Sequence, residues 1–211
     1  MKLSKSLFII LSSISSITWA NLDANIKYSS NYLMPAYVHF KVSETQYGIN
    51  ANINIPFYKI KFQAKGVQDS QHFKMISYKD IRNDNTYSVA NINNNTIEYG
   101  KIKSGLKSEH LSVPTFDLFT IALQLSYYEK LPASFQITNG KKLYPMKNVV
   151  VNKSQKEIKY NKQQIVEVTY RFKTGEKSFI VKKHLNEQFP RYISYDKDGD
   201  HYELTFDQFV N

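Results

Sequence analysis

Residues 114–132 constrain the fold of this chain more than any other stretch, because they hold its one convincing helix and the segments around them alternate like β-strands. Thr115 is the predicted N-cap, and Pro132 ends the helix. The predicted apolar face consists of Leu118, Ile121, Ala122 and Leu125, widened by Phe119 and Leu123. A helix this apolar needs cover on most of its surface. It is therefore expected to plug a sheet, the alternative being a movable lid over an apolar cavity.

The segments on either side alternate apolar and polar residues, as half-buried strands do. In the cleanest example, residues 58–65, the two faces are Tyr58, Ile60, Phe62 and Ala64 against Lys59, Lys61, Gln63 and Lys65. Asn139 and Gly140 mark a tight hairpin, and successive strand-like segments are joined by short turns. The sequence therefore predicts a mainly β protein with one helix. Its ten to twelve strands would form an antiparallel, strongly curved meander sheet or incomplete barrel packed against that central helix.

The N-terminal region has the features of an export signal. Residues 1–20 combine the basic Lys2 and Lys5, an apolar core and the small residue Ala20 at the expected cleavage point. Residues 21–36 are polar with few apolar anchors, and they predict a flexible lead-in with little structure of its own. Residues 37–211 would form a single β-rich domain, with no transmembrane span after signal cleavage. The expected location is the periplasm of a bacterium.

Composition narrows the classes of partner and chemistry. The chain has no cysteine, which excludes thiol nucleophiles, thiolate metal sites and disulfides, and its formal charge is +10. For an exported protein this charge favours anionic lipid head groups, lipopolysaccharide phosphates or acidic polymers over nucleic acid. Lys59, Lys61 and Lys65, on the basic face of residues 58–65, are the candidate residues for an anionic surface. The alternative is a basic solvated surface without a partner, since the lysines are scattered along the strands.

No local pattern predicts a catalytic residue, a metal site or a cofactor. The five histidines show no pairing at i, i+2 or i, i+4. Asp196, Asp198 and Asp200 resemble the start of a calcium loop, but Gly199 stands at the wrong position and the flanks have strand character. We therefore expect an Asp-Gly hairpin tip there. A hydrolase site assembled from distant strands stays open as an alternative.

Four stretches carry a family resemblance: residues 37–48 with the basic strand 58–66, the helix start Asp117-Leu118-Phe119-Thr120, the hairpin 138–144, and residues 189–193 with Gly199 and the strand 202–206. Together they resemble the bacterial envelope proteins known only as domain of unknown function 3108. The resemblance implies an exported, mostly β fold and no assigned activity, so it transfers no catalytic residue. In architecture alone, a curved sheet with a helix on its concave face is also similar to the periplasmic lipoprotein carriers.

These features favour an exported cell-envelope protein that binds an apolar or lipid-like ligand in a cavity between sheet and helix. The candidate ligand-binding residues are Phe119, Leu123 and Tyr127 from the helix, with Phe62 and Tyr170 from the sheet. The alternative use of these side chains is to fill a β-core. A second hypothesis is a non-catalytic structural or protein-interaction module that pairs with an envelope protein, with an exposed edge strand or apolar patch as its sign. The hydrolase ranks last.

Overall fold

The computed structural model describes residues 21–32, 34–69, 71–197 and 199–211, so the predicted signal at residues 1–20 lies outside the described residues. The elements before the main helix are β1 (Leu22–Ser30), β2 (Ala36–Val42), β3 (Gln46–Ile55), β4 (Tyr58–Gln68), β5 (Phe73–Arg82), β6 (Asn85–Asn93), β7 (Thr96–Lys101), a short 3-10 helix (Ile102–Ser104), β8 (Lys107–His110) and β9 (Thr115–Phe116). The later elements are α1 (Leu118–Tyr128), β10 (Phe135–Thr138), β11 (Leu143–Met146), β12 (Asn152–Tyr160), β13 (Gln163–Thr174), β14 (Lys177–His184), β15 (Tyr192–Lys197) and β16 (Asp200–Phe209).

Thirteen of these strands form one continuous sheet, in the order β12-β13-β14-β15-β16-β1-β2-β3-β4-β5-β6-β7-β8. Its strand pairs are antiparallel, which confirms the predicted mainly β, antiparallel class with one helix. The sheet is not closed into a barrel, because β12 and β8 remain as its edges. β1 pairs with β16, so the first and last strands of the domain are neighbours in the interior of the sheet.

The chain between the two edges crosses the face of the large sheet. It leaves β8, forms β9, α1, β10 and β11, and re-enters the sheet as β12. β9 pairs parallel with β10, which pairs antiparallel with β11, giving a separate three-stranded sheet. The hairpin predicted at Asn139 and Gly140 is confirmed as the connection from β10 to β11. It belongs to this small sheet and not to the main meander.

Helix α1 packs between the two halves of the large sheet, and nine of its eleven residues are buried. Leu123 and Tyr127 join a core cluster with residues of β1 to β7. Ile121, Ala122 and Leu125 join a second cluster with residues of β13 to β15. The helix therefore packs against a core cluster on each of two sides. This fits a helix that plugs the sheet and does not fit a movable lid.

The polar side of α1 is buried as well. Gln124 is fully buried, and its side-chain oxygen accepts a hydrogen bond of 2.8 Å from the backbone N–H of Phe73 at the start of β5. Its amide nitrogen donates to the carbonyl oxygens of Gln71 and Lys130, at 3.1 and 3.0 Å. A buried amide is tolerated when its donors and its acceptor are satisfied in this way. Gln124 thus fixes the helix to the sheet.

The predicted N-cap at Thr115 is wrong, and Asp117 occupies that position. Thr115 lies in β9, where it pairs with Gln136 and is therefore extended. The Asp117 carboxylate accepts hydrogen bonds from the backbone N–H groups of Phe119 and Thr120, at 2.9 and 3.2 Å. The helix ends at Tyr128, before the predicted stop at Pro132, because Glu129 adopts the left-handed conformation with φ 59°.

The hydrogen-bond acceptor at Asp117, more than its charge, is expected to stabilise the start of α1. Asp117→Ala should lower the free energy of unfolding by about 1–2 kcal/mol, because two backbone N–H groups lose their acceptor. Asp117→Asn keeps an oxygen acceptor and should change this free energy by less than about 0.5 kcal/mol. Urea unfolding followed by circular dichroism measures both. An Asn variant as unstable as the Ala variant would show that the charge itself is required.

The predicted flexible lead-in at residues 21–36 is also wrong. Leu22–Ser30 is strand β1, hydrogen-bonded between β16 and β2. Ala24, Ile26 and Tyr28 point into the core, and the last two are fully buried. The sequence did not reveal this strand because only three of its residues face inward. One of the two strands that pair with it, β16, lies at the far end of the chain. Strand β1 is therefore part of the β-rich domain.

The strand before β13 does not lie where the sequence predicts it. The valine-rich residues 148–152 predict a short strand, but the structure contains none there, and β12 instead runs over Asn152–Tyr160. Most of β12 is exposed on both faces because it lies at an edge of the sheet. Alternation of apolar and polar residues arises only where one face is buried, so this strand shows none.

Candidate functional site

A cleft lies at the N-terminal end of α1, where four parts of the chain meet. Its volume is about 330 Å³, at the lower end of the range of about 300–1,000 Å³ that is usual for ligand sites. The walls come from β4 and β5, the start of α1, the β10–β11 hairpin, and β15 and β16. The lining residues are Phe62, Tyr78, Asp80, Arg82, Asp117, Leu118, Phe119, Thr138, Asn139, Lys141, Tyr144, Tyr195, Lys197, Asp200 and Tyr202.

Aromatic rings supply much of the cleft wall. The centroid of the Phe62 ring lies 6.3 Å from that of Phe119 and 6.4 Å from that of Tyr78. On the opposite wall, the rings of Tyr195 and Tyr202 stack with centroids 6.4 Å apart. These separations are typical of packed aromatic pairs. The rings therefore give the cleft two largely apolar walls.

The charges on the β5 side of the cleft neutralise each other. Arg82 donates from Nε and Nη2 to the two carboxylate oxygens of Asp80, both at 3.1 Å. It also donates to the Tyr58 hydroxyl, and its guanidinium carbon lies 4.1 Å from the centroid of the Tyr87 ring. The hydrogen bond to Asp80 raises the pKa of Arg82. This forked pair is therefore a fixed structural feature of the wall.

Asp117 contributes a second carboxyl group at the base of the cleft. Burial raises its pKa, although hydrogen bonds from Thr120 and Phe119 oppose that effect. Tyr78 lies nearby, and its pKa is raised well above the usual value by burial, then by the charges of Asp117 and Asp80. Burial is the main cause of both shifts in pKa. Aromatic walls with paired charges suit binding better than acid–base chemistry.

The structure separates the five predicted ligand-binding residues into two groups. Phe62 and Phe119 line the cleft, as expected. Leu123, Tyr127 and Tyr170 do not, because they are core side chains with exposures of 0, 1 and 0%. The space along the helix that they were expected to line is filled by their own packing. An alternating pattern identifies the inward face of a strand, but it does not show whether that face is covered.

The three predicted anionic-surface lysines lie outside the cleft. Lys59 and Lys61 border a hollow on the surface of β3 and β4, and Lys65 is exposed further along β4. The ammonium group of Lys59 is 3.8 Å from the Asp84 carboxylate, and both side chains are largely exposed. Asp84 therefore offsets part of the charge at this end of the strand. An anionic-surface role for Lys59, Lys61 and Lys65 stays a prediction.

Sequence reasoning missed most residues of the cleft. Asp80 and Arg82 are the clearest case, since they continue the inward face of β5 two and four residues beyond Tyr78. That spacing was the available signal, but their polarity suggested a turn. Tyr144 and Tyr202 carried no signal, because only the fold brings them beside α1.

One group of serine, aspartate and histidine bears on the hydrolase hypothesis. The Ser178 hydroxyl donates to Asp196, and His201 lies between Asp196 and Glu203, with Nδ1 2.5 Å from one carboxylate and Nε2 3.2 Å from the other. Both nitrogens of the imidazole thus face carboxylates and none faces the serine. This group lacks the contact between nucleophile and base that a hydrolase needs. Within the described residues, no cluster of three or more His, Asp or Glu could hold a metal ion.

Comparison of the chain with protein-family models, curated proteins and solved structures finds no match. The resemblance to the envelope family of unknown function therefore stays a prediction. In the part of the chain that the structure describes, no helix is long and apolar enough to cross a membrane.

Proposed function

We propose that this chain is an exported cell-envelope protein that binds an apolar or lipid-like ligand in the cleft at the start of α1. One observation carries the proposal. Six aromatic side chains from four separate chain segments converge on one space of about 330 Å³: Phe62, Tyr78, Phe119, Tyr144, Tyr195 and Tyr202.

The physical argument rests on the surface that these rings leave uncovered. Phe62 and Phe119 are only partly buried, although the helix beyond them is packed on both sides. Covering such rings with an apolar ligand removes their surface from water, which is favourable by about 25 cal/mol per Å². Lys141 lies in the same cleft and suits the polar end of an amphiphilic ligand. Export remains the role predicted for residues 1–20.

A charge placed at Phe119 should abolish most of the apolar binding. Phe119 packs against both core clusters, but it lies in the first turn of α1, where the helix dipole favours a carboxylate and offsets part of the cost of removing the ring in Phe119→Asp. We expect the affinity for phenylnaphthylamine, a fluorescent probe of apolar sites, to fall at least about tenfold, because a charge then lies among the rings. Fluorescence titration measures the affinity, and circular dichroism verifies the fold.

Phe57→Asp is the matched control for this test. Phe57 is fully exposed at the β3–β4 turn, with an exposure of 103%, and lies outside the cleft. Its substitution should leave probe affinity unchanged. A wild-type protein that takes up no probe, and from which native mass spectrometry releases no lipid, would refute the proposal. Equal affinities for Phe119→Asp and wild type would place the binding elsewhere.

The alternatives have less support. A protein-interaction module would use an edge strand, and β12 is such an edge. It carries Lys153, Lys156 and Lys159 along its length, and lysines on edge strands hinder pairing with another chain. The hydrolase hypothesis gains nothing from the group around Ser178 and His201.

A further inference from the structure

A second pocket adjoins the cleft and is surrounded by lysines. It has a volume of about 450 Å³ and lies between the β7–β8 connection and the β10–β11 hairpin. Lys101 and Lys107 border it from the first segment, and Lys141 and Lys142 from the second. Four lysines of like charge around one pocket repel one another, and an anion bound between them would relieve that repulsion.

The backbone holds these two lysine-bearing segments in a fixed relation. The N–H of Gly100 donates to the carbonyl oxygen of Gly140 at 2.8 Å, joining the end of β7 to the hairpin. A side chain at Gly100 would meet the carbonyl oxygen of Gly105 at 2.8 Å, and one at Gly140 would meet Ser88. Within the hairpin, the Asn139 side-chain oxygen accepts hydrogen bonds from the backbone N–H groups of Lys141 and Lys142. The lysines therefore extend from a rigid frame.

The charges of this pocket are not neutralised within the described part of the chain. None of its four lysines lies within 4 Å of a carboxylate oxygen there. The positive charges of this region also act on the nearby Tyr87. A hydrogen bond from Lys101, then the charges of Lys101, Lys141 and Arg82, lower the pKa of its hydroxyl. The nearest acidic residue along β8, Glu109, is engaged by the Tyr99 hydroxyl.

Asn139, Lys141 and Tyr144 line both the pocket and the aromatic cleft, so the two spaces adjoin each other at these residues. We propose that the lysine pocket binds the phosphate group of an amphiphile whose apolar part lies in the cleft. This inference rests on the proposed function and specifies its ligand class. Phosphate fits because it carries up to two negative charges and accepts hydrogen bonds on several oxygens, as clustered ammonium groups require.

The test compares ligands that differ only in the phosphate. Isothermal titration calorimetry measures binding of dihexanoyl phosphatidic acid, dihexanoylglycerol and inorganic phosphate to the wild-type protein. The variant Lys101→Gln/Lys107→Gln removes two charges that border the pocket but not the cleft, and Lys79→Gln/Lys173→Gln removes two exposed charges elsewhere. We expect phosphatidic acid to bind about tenfold more tightly than dihexanoylglycerol. The first variant should lose most of that difference, and the second should keep it.

The outcomes separate this inference from the proposed function. Equal binding of phosphatidic acid and dihexanoylglycerol would overturn the phosphate pocket while leaving the cleft as an apolar site. Binding of inorganic phosphate as tightly as phosphatidic acid would overturn the amphiphile and assign a free-anion site. Loss of dihexanoylglycerol binding alone, with lysine-dependent phosphate binding retained, would overturn the cleft and keep the pocket. Equal losses in the two lysine variants would show only a general effect of net charge and would also overturn the inference.

Discussion

Tyr28→Ala is expected to lower the free energy of unfolding by about 3–5 kcal/mol, as other aromatic-to-alanine substitutions in protein cores do. Tyr28 is fully buried in β1, between β16 and β2. Its hydroxyl donates a hydrogen bond of 2.5 Å to the carbonyl oxygen of Pro190, which leads into β15. The substitution removes a ring from the core and leaves that carbonyl without its donor. Guanidinium chloride unfolding followed by circular dichroism measures the change.

Two further variants divide this effect into its parts. Tyr28→Phe keeps the ring and removes the hydroxyl, so it should cost about 1–2 kcal/mol. Tyr32→Ala changes a tyrosine just after β1 that is more than half exposed, and it should cost less than about 1 kcal/mol. Similar values for Tyr28→Ala and Tyr32→Ala would mean that residues 21–36 are the flexible lead-in that the sequence predicts.

Lys183→Ala is expected to destabilise the protein by about 3 kcal/mol, near the range for breaking a buried ion pair. Lys183 lies in β14 with an exposure of 4%. Its ammonium group donates to the carbonyl oxygen of Ser126 at 2.9 Å and is 2.8 Å from the Glu129 carboxylate. It thereby satisfies the C-terminal end of α1 and joins it to the large sheet.

The electrostatics of Glu129 support this role for Lys183. Burial alone would raise the pKa of Glu129, but hydrogen bonds from Lys153 and Lys183 outweigh burial and lower the pKa to about 2. Removing Lys183 leaves a half-buried carboxylate with Lys153 as its remaining cation, and it leaves the Ser126 carbonyl without this donor. Both consequences oppose folding.

Lys153→Ala is the matched control, since Lys153 binds the same carboxylate from the edge strand β12 with a side chain that is 40% exposed. Its loss should cost less than about 1 kcal/mol. Lys183→Met keeps the aliphatic stem and removes only the polar contacts. It should lower the free energy of unfolding by about 2 kcal/mol. Thermal or chemical unfolding compares the three variants. Equal effects of Lys153→Ala and Lys183→Ala would show that burial of Lys183 does not matter.

Elements with one buried face were predictable from their sequence. Residues 58–65 alternate because β4 has a core side and a solvent side, and Asn139 with Gly140 marked a hairpin that the structure contains. β12 was missed because an edge strand exposed on both faces carries no such pattern. β1 was missed because its inward residues are few and β16, one of its two neighbours, lies at the other end of the chain.

The residues of the cleft also divide into some that the sequence predicted and some that it did not. Phe62 and Phe119 were predicted as site residues from their inward positions, and they line it. Leu123 and Tyr127 carried the same apolar signal, yet packing buries them. Burial is a property of the neighbours, and the neighbours of α1 come from both halves of the sheet. A periodic pattern therefore could not tell a cleft wall from a core position.

The sequence by itself determined the fold class, the single helix and the direction in which many strand residues face, because these follow from the local periods of strands and helices. The tertiary structure alone decided that β1 joins β16, that α1 is held between two core clusters, and that a cleft and a lysine pocket adjoin each other at the β10–β11 hairpin. These features depend on contacts between residues far apart in the chain. Such contacts form only when the gain from packing exceeds the entropy lost in closing long loops. That balance belongs to the whole fold and cannot be read from any single segment.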